Sequence, residues 1–464
     1  WWNGFTGVGS TYTLGRWFLG YAGLITSMFD LPWVNGAFSL FYISIVVILL
    51  TEMFEIKNKG MIVLCAAIFV SFPTVVSSFA YMYTADAYLL AFLLATLAVY
   101  LTWCVKKWGT IAGMVCLAFA MGIYQAYATV AIVLVLLYII RQFVIEKLDF
   151  LEAVRKDLKY LGMLVGGAVL YAVILKITLI RYNITLPGYQ GIGALGIMSL
   201  GQYKAALQKT LYHFRLILGM EHGVEKRVYS ILNAAVLLLI GLIFIYLLIR
   251  NQVYKKKLSM LASIAAVCLI PVGAYFINFT SPDVQYYTLM EMAVCLIYLL
   301  LIIMLLQLEW KTWISKILKG CGIFVLCGLV YYNVINSNIA YFNMNLSYHK
   351  SISIAEDVLQ RIEQMDEFQN QHDKVVIMGD YNCATENLQI MMPSIMGISN
   401  DSFLNDSYHY TIIWNYCFGV QMEQASYDEM MEIVETDEYK NMSVYPLKGC
   451  VEYINGIIVV KMQE

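Results

Sequence analysis

Gly122-Ile123-Tyr124-Gln125 decides how this chain is laid out. These four residues interrupt 108–142, an apolar stretch too long for one bilayer-crossing helix, which needs roughly 17–25 residues. Divided there, the stretch becomes two short helices meeting at a tyrosine and an amide. On either side, apolar runs of spanning length fall at 33–54, 61–78, 86–105, 161–182, 231–250, 260–279, 287–308 and 320–337, so about ten spans are expected.

The basic residues test that division. Short cytoplasmic loops carry the Lys/Arg excess of a membrane protein. One alternating set of loops holds Lys57 and Lys59, Lys106 and Lys107, Arg141 to Lys159, Arg250 with Lys255 to Lys257, and Lys311, Lys316 and Lys319. The opposite set includes the turns 79–85 and 280–286, which contain no Lys or Arg. The alternation survives all ten spans only when 108–142 is divided. Residues 1–32, the long loop 183–230 and the region from 338 onward are then expected outside the cytoplasm. The stretch 145–160 reads as an amphipathic helix on the cytoplasmic surface. The loop 183–230 opens with Gly and Pro and continues as an amphipathic stretch with Lys204, Lys209, His213 and Arg215.

Composition agrees. The 464 residues are 60% hydrophobic and 13% charged, with a mean hydropathy of +0.68. Soluble domains carry about 25% charged residues, so this is a polytopic membrane chain. A net charge of -2 gives no field for nucleic acid. Of ten cysteines, Cys65, Cys104, Cys116, Cys268, Cys295, Cys321 and Cys327 fall in apolar runs. Cys383, Cys417 and Cys450 have no metal-ligand spacing, and the five histidines show no partner spacing either. No metal or cofactor is expected. The chain opens on Trp1-Trp2 without a Met or a charged leader, so its natural N-terminus is expected upstream.

From about Asn338 the composition becomes that of a soluble domain. A helix over 339–365 is expected to continue out of the last span. Lys374 to Asp380 reads as a strand and turn, Thr411 to Phe418 and Tyr427 to Val434 as helices, and Cys450 to Met462 as a hairpin about Asn455-Gly456. The expected fold is thus a mostly α, polytopic helical bundle with a small C-terminal extracytoplasmic α/β domain. Its parts are residues 1–32 as an outer loop with an interfacial helix, 33–337 as the transmembrane bundle, and 338–464 as the outer domain.

Ionisable groups at membrane depth are costly unless paired or hydrated, so they are the candidates for chemistry. Arg16 offers a planar fork for phosphate, or snorkels from an interfacial helix. Asp86, with Tyr83 and Tyr88 around it, suits a sugar, or caps a helix. Lys176 and Arg181 either hold a lipid phosphate at headgroup depth or snorkel. Glu291 is their counter-charge or itself a catalytic carboxylate. Asp30 before Leu31-Pro32 reads as a cap at the first visible span. Tyr124 and Gln125 bind a polar ligand or satisfy backbone groups at the helix break.

Several stretches in order resemble a known family: Gly15-Arg16-Trp17 with Asp30-Leu31-Pro32-Trp33, Tyr81 to Tyr88, Gly122-Ile123-Tyr124-Gln125, and Val444 to Gly449 leading to Asn455-Gly456. The chain resembles the bacterial membrane glucosyltransferases typified by the type II O-antigen enzymes, of the GT-C class. The resemblance implies transfer of glucose, or a similar hexose, from a polyprenyl-phosphate-linked donor to a cell-envelope glycan on the outer face of the bacterial cell membrane. With that reaction in view, the reading of the residues gives donor-phosphate binding to Arg16, Lys176 and Arg181, sugar or acceptor contacts to Tyr83, Tyr88, Tyr124 and Gln125, and carboxylate chemistry to Asp86 and Glu291. Its partners would be the lipid-linked donor, the glycan acceptor and membrane lipids. Members of the class carry key acids in the first outer loop, whereas no Asp or Glu precedes Arg16 here. The principal base is therefore expected upstream, with Asp86 in a supporting role. A transporter or flippase of lipid-linked sugars is the alternative, and a glycan-binding outer domain on an anchoring bundle is a third.

Overall fold

The structure is a computed structural model. It describes residues 8–27, 29, 31–186, 196, 198–220, 227–369, 373–381, 404 and 406–462, which form two compact units dividing near Ser337 and Asn338. The chain is mostly helical, as its composition demands.

The first unit opens with a 3-10 turn at Val8–Leu14, the short helix α1 (Leu19–Ala22) and a second 3-10 turn at Gly23–Ile25. Gly15 has a positive φ of 69°, a conformation that glycine adopts without a Cβ penalty. The backbone amide of Phe18 donates to the carbonyl of Gly122 at 2.8 Å. A Cβ on Gly122 would lie 2.6 Å from Cε2 of Trp17. The glycine at the helix break therefore lets the opening segment dock against it.

The helices follow in order: α2 (Pro32–Met53), α3 (Lys59–Ser71), α4 (Pro73–Phe79), α5 (Met82–Cys104), α6 (Gly109–Ile123), α7 (Ala128–Val144), α8 (Phe150–Tyr182), α9 (Leu200–Ile217), α10 (Arg227–Arg250), α11 (Lys257–Cys268), α12 (Ile270–Ala274), α13 (Leu296–Leu306) and α14 (Trp313–Glu363). Among the described residues, six helices are long and apolar enough to cross a membrane, counting α7 with its leading turn from Gln125; the α3–α4 pair, bent by 46°, supplies a seventh. Shorter apolar helices cover Gly109–Ile123, Lys257–Cys268 and Met292–Leu306.

The break within 108–142 falls at Tyr124, whose backbone is extended (φ -158°, ψ 118°). Elsewhere the structure departs from the expected pieces. The surface helix expected at 145–160 begins only at Phe150 and runs on into the span expected at 161–182 as one helix, α8, because nothing at Lys159-Tyr160-Leu161 stops it. The span expected at 260–279 breaks into α11, α12 and a 3-10 turn at Phe276–Phe279, with Pro271 inside the first turn of α12. The span expected at 287–308 begins as two 3-10 turns, Thr288–Met290 and Met292–Cys295. At α4, Pro73 lacks an amide proton and holds Phe72 extended, which produces the bend. Asp30 lies outside the described residues, and Leu31 takes the N-cap position of α2. The amphipathic α9 begins with a capping box of Ser199 and Gln202.

The basic loops gather at one end of this unit. Arg141 pairs with Glu55 and Glu146, Lys256 with Asp149, and Arg250 with Glu309. Lys159 donates to the Thr102 carbonyl at 2.7 Å.

The second unit holds a four-stranded sheet in the order β2-β1-β4-β3, made of β1 (Lys374–Met378), β2 (Glu423–Gln424), β3 (Val451–Ile454) and β4 (Ile457–Lys461). β1 is parallel to both β2 and β4, and β3 is antiparallel to β4. Asn455 and Gly456, with φ of 52° and 84°, make the hairpin turn. Helices α15 (Ser407–Ile413), α16 (Tyr427–Val434) and α17 (Asp437–Asn441) complete it, with α15 running into a π-helical turn at Trp414–Phe418. Ile354, Val358 and Ile362 on the second half of α14 share a core with Val375, Trp414 and Ile458.

Candidate functional site

Arg16, Tyr88, Tyr124 and Gln125 meet at the helix break, although they come from three distant parts of the chain. Arg16 donates from Nη1 to the Tyr88 hydroxyl at 3.3 Å, and its guanidinium lies 4.2 Å from the centre of the Tyr124 ring. The Tyr88 and Tyr124 rings stack at 5.2 Å. Gln125 Nε2 donates to the Leu14 carbonyl at 3.0 Å and to the Tyr171 hydroxyl at 2.9 Å. Tyr171 in turn donates to the carbonyl of Gly15 at 3.0 Å. The backbone on the N-terminal side of Arg16 is thus held by Gln125 and Tyr171, which aims the guanidinium.

Asp86 is buried two residues before Tyr88 on α5. Its Oδ2 accepts from the Thr26 hydroxyl at 3.3 Å, and its Oδ1 has no hydrogen-bond partner among the described residues. Tyr81 takes the N-cap position of α5, so Asp86 does not cap the helix. Such a carboxylate is expensive to bury without a purpose. Asn35 fixes the approach of α2 by donating to the Met82 carbonyl at 2.7 Å. Tyr83 is half-buried at the start of α5.

A second polar group forms around Glu291, which is 5% exposed. The hydroxyl of Tyr275 donates to its Oε1 at 2.7 Å. The Tyr275 ring lies 4.9 Å from Tyr286 and 6.0 Å from His213, which α9 supplies. Lys209 Nζ donates to the carbonyl of Val284. Burial, and after it the charge of Lys209, hold the His213 imidazole down to about 4 from 6.5, so the ring is neutral near pH 7. Tyr286 lies within electrostatic reach of both Glu291 and Tyr124.

A cavity of about 680 Å³ lies against the Arg16 group; neither Glu291 nor Asp86 is among the residues that line it. Arg16, Tyr124, Gln125 and Tyr171 line its polar part, Thr280, Val284 and Met290 line another side, and Leu161, Val165, Ala168 and Ala172 of α8 extend it as an apolar channel. Lys176 is exposed one helical turn beyond Ala172, and Arg181 is exposed beyond it. Neither pairs with Glu291, whose hydrogen bond goes to Tyr275 instead. Among the described residues, no group of three His, Cys, Asp or Glu side chains is placed to hold a metal ion.

Sequence reasoning picked out Arg16, Asp86, Tyr88, Tyr124, Gln125 and Glu291 but missed Tyr171, Tyr275, Tyr286 and the role of His213. The tyrosines sit in apolar runs with nothing to distinguish them from core residues. His213 finds its partners across a long loop, which no local spacing reveals.

The family described as Glucosyl transferase GtrII matches residues 3–290, more than half of the chain. No curated protein and no solved structure matches it. The matched range holds the whole Arg16 group together with Asp86 and ends one residue before Glu291. The polytopic helical chain that builds this site belongs to the GtrII family of glucosyl transferases.

Proposed function

We propose that this glucosyltransferase takes glucose, or a similar hexose, from a polyprenyl-phosphate-linked donor and transfers it to a cell-envelope glycan on the outer face of the bacterial cell membrane. The observation that carries the reading is the cavity: an apolar channel along α8 that runs up to one arginine and a set of tyrosines. The channel matches an isoprenoid chain, and the guanidinium matches a phosphate through charge-assisted hydrogen bonds. The stacked Tyr88 and Tyr124 rings give the hexose an aromatic wall, and Tyr83, earlier on α5, is a further candidate contact. Lys176 and Arg181 add positive charge at headgroup depth.

In the reaction, an acceptor hydroxyl oxygen forms a bond to the donor's anomeric carbon as the carbon–oxygen bond to phosphate breaks. The hydroxyl proton goes to a carboxylate, and the electron pair leaves with polyprenyl phosphate. Among the carboxylates of this sequence, Glu291 is assigned as the general base, with Asp86 in a supporting role, and Arg16 stabilises the charge growing on the leaving phosphate. The C-terminal unit is proposed to lie outside the cytoplasm.

The test supplies polyprenyl-phosphate [¹⁴C]glucose to membranes containing the full-length protein. Label in envelope glycan is the expected result. No label, or label arriving only from a sugar nucleotide in the absence of the lipid donor, contradicts the reading. The bent α3–α4 pair and the broken stretch 257–295 also suit a flippase, because transporters build sites from interrupted helices. Vesicles that translocate the lipid-linked sugar without transferring it would favour that second reading.

A further inference from the structure

Glu291 sits between two 3-10 turns, with φ of -96° and ψ of 20°. No regular helix turn fixes where its carboxylate points. What fixes it is Tyr275, a fully buried side chain whose hydroxyl donates to Oε1 at 2.7 Å. Tyr275 follows α12 directly, where the helix has just ended, so its own ring needs support from neighbours. Tyr286 supplies it at 4.9 Å on one side, and His213 stacks at 6.0 Å with an angle of 24° between the rings. His213 also meets Tyr286 at 5.6 Å.

The helix that brings His213 is tied down beside this group. Asn278 Nδ2 donates to the Thr210 hydroxyl at 3.1 Å, and Lys209 Nζ donates to the Val284 carbonyl. Lys209, Thr210 and His213 of α9 therefore all reach the segment that carries Tyr275 and Tyr286. The His213 imidazole is kept neutral by its burial, which suits a packing role on a tyrosine ring.

We propose that Tyr275 is a positioning residue for Glu291, and that His213 of α9 holds the Tyr275 ring in register, making this loop helix a working part of the transfer site. The inference rests on Glu291 being the carboxylate that accepts the acceptor proton.

The test measures transfer from polyprenyl-phosphate glucose by the full-length protein in membranes, normalised to accumulated protein. Tyr275→Phe keeps the ring and removes only the hydroxyl. It should lower kcat about tenfold, equivalent to about 1.4 kcal/mol, and leave the donor KM within about twofold. Added to Glu291→Gln, it should cost nothing further, since the two act as one unit. His213→Ala should lower kcat in the same way, and His213→Phe should recover most of the loss. If Tyr275→Phe accumulates poorly, the His213 pair answers the same question. An unchanged kcat in Tyr275→Phe beside a slow Glu291→Gln overturns the positioning role while sparing the role of Glu291. A fully active Glu291→Gln overturns the premise itself.

Discussion

Asp86 and Glu291, buried carboxylates of the bundle, are held in opposite ways. Asp86 stands within a regular helix, and its neighbour is Thr26 from the opening segment, a surface element docked through Gly122 and Gln125. Glu291 stands where regular helix is missing, and its neighbour is a fully buried tyrosine from the interior. The first environment depends on whether a surface segment stays docked, and the second on packing among α9, α12 and the turns near 288–295. A rigid backbone with an adjustable partner suits a group that senses or shapes bound donor. An irregular backbone with a rigid partner suits a group aimed at one reacting atom.

That contrast can be broken most severely at Glu291. Glu291→Gln should reduce kcat by about 10² to 10⁴, the usual worth of a general base, whereas Asp86→Asn should cost only about tenfold. Comparable losses from both variants in a membrane transfer assay would erase the distinction. Next in size, Arg16→Gln should raise the donor KM by about tenfold or more, from losing a charge-assisted bond worth roughly 1.5–3 kcal/mol, with a smaller change in kcat. Saturation curves with polyprenyl-phosphate glucose report both.

Gly122→Leu sharpens the comparison without substituting either carboxylate. Its side chain would collide with Trp17, and overpacking of this kind costs about 1–3 kcal/mol. The opening segment should be displaced, raising the donor KM several-fold through Arg16 while leaving the kcat contribution of Glu291. A change in kcat alone would show that the two regions are not separable in this way.

A pH effect comes from the Glu291 side. His213 titrates at 6.5 in the unfolded chain and at about 4 when folded. As pH falls below 6.5 the unfolded chain takes up the proton first, so stability declines from 6.5 to about 4 and its His213 contribution then levels off. Thermal unfolding in detergent should show this slope in the parent protein and a shallower one in His213→Phe. The smallest effect belongs to Lys176→Met. This exposed residue lies beyond the channel, and its loss should change the donor KM less than about threefold, the scale of a surface substitution.

Much of the bundle was legible because membrane burial writes itself into long apolar runs. The break at Gly122-Ile123-Tyr124-Gln125 was readable for the same reason: one run was too long, and loop charge required a division. The hairpin at Asn455-Gly456 was readable because its turn demands residues that tolerate positive φ. The broken stretches 257–279 and 287–295 were not readable, since 3-10 turns and distorted helices carry the same apolar composition as straight spans. Within the site, charge marked Arg16, Asp86 and Glu291. The tyrosines at 171, 275 and 286 were hidden among apolar neighbours, where a phenol that donates a bond, as Tyr171 and Tyr275 do, looks like a phenol that only packs. Lys176 and Arg181 drew attention for their charge, yet α8 leaves both exposed beyond the channel.

The most direct test is photo-crosslinking of the full-length protein in membranes with a polyprenyl-phosphate glucose analogue that carries its photoreactive group on the isoprenoid chain. Adducts are expected on the α8 peptide containing Val165, Ala168 and Ala172, competed away by unlabelled donor and depleted in Arg16→Gln. Adducts spread over other lipid-facing helices, or adducts at α8 that neither competition nor the Arg16 substitution reduces, would contradict a donor seated in this channel.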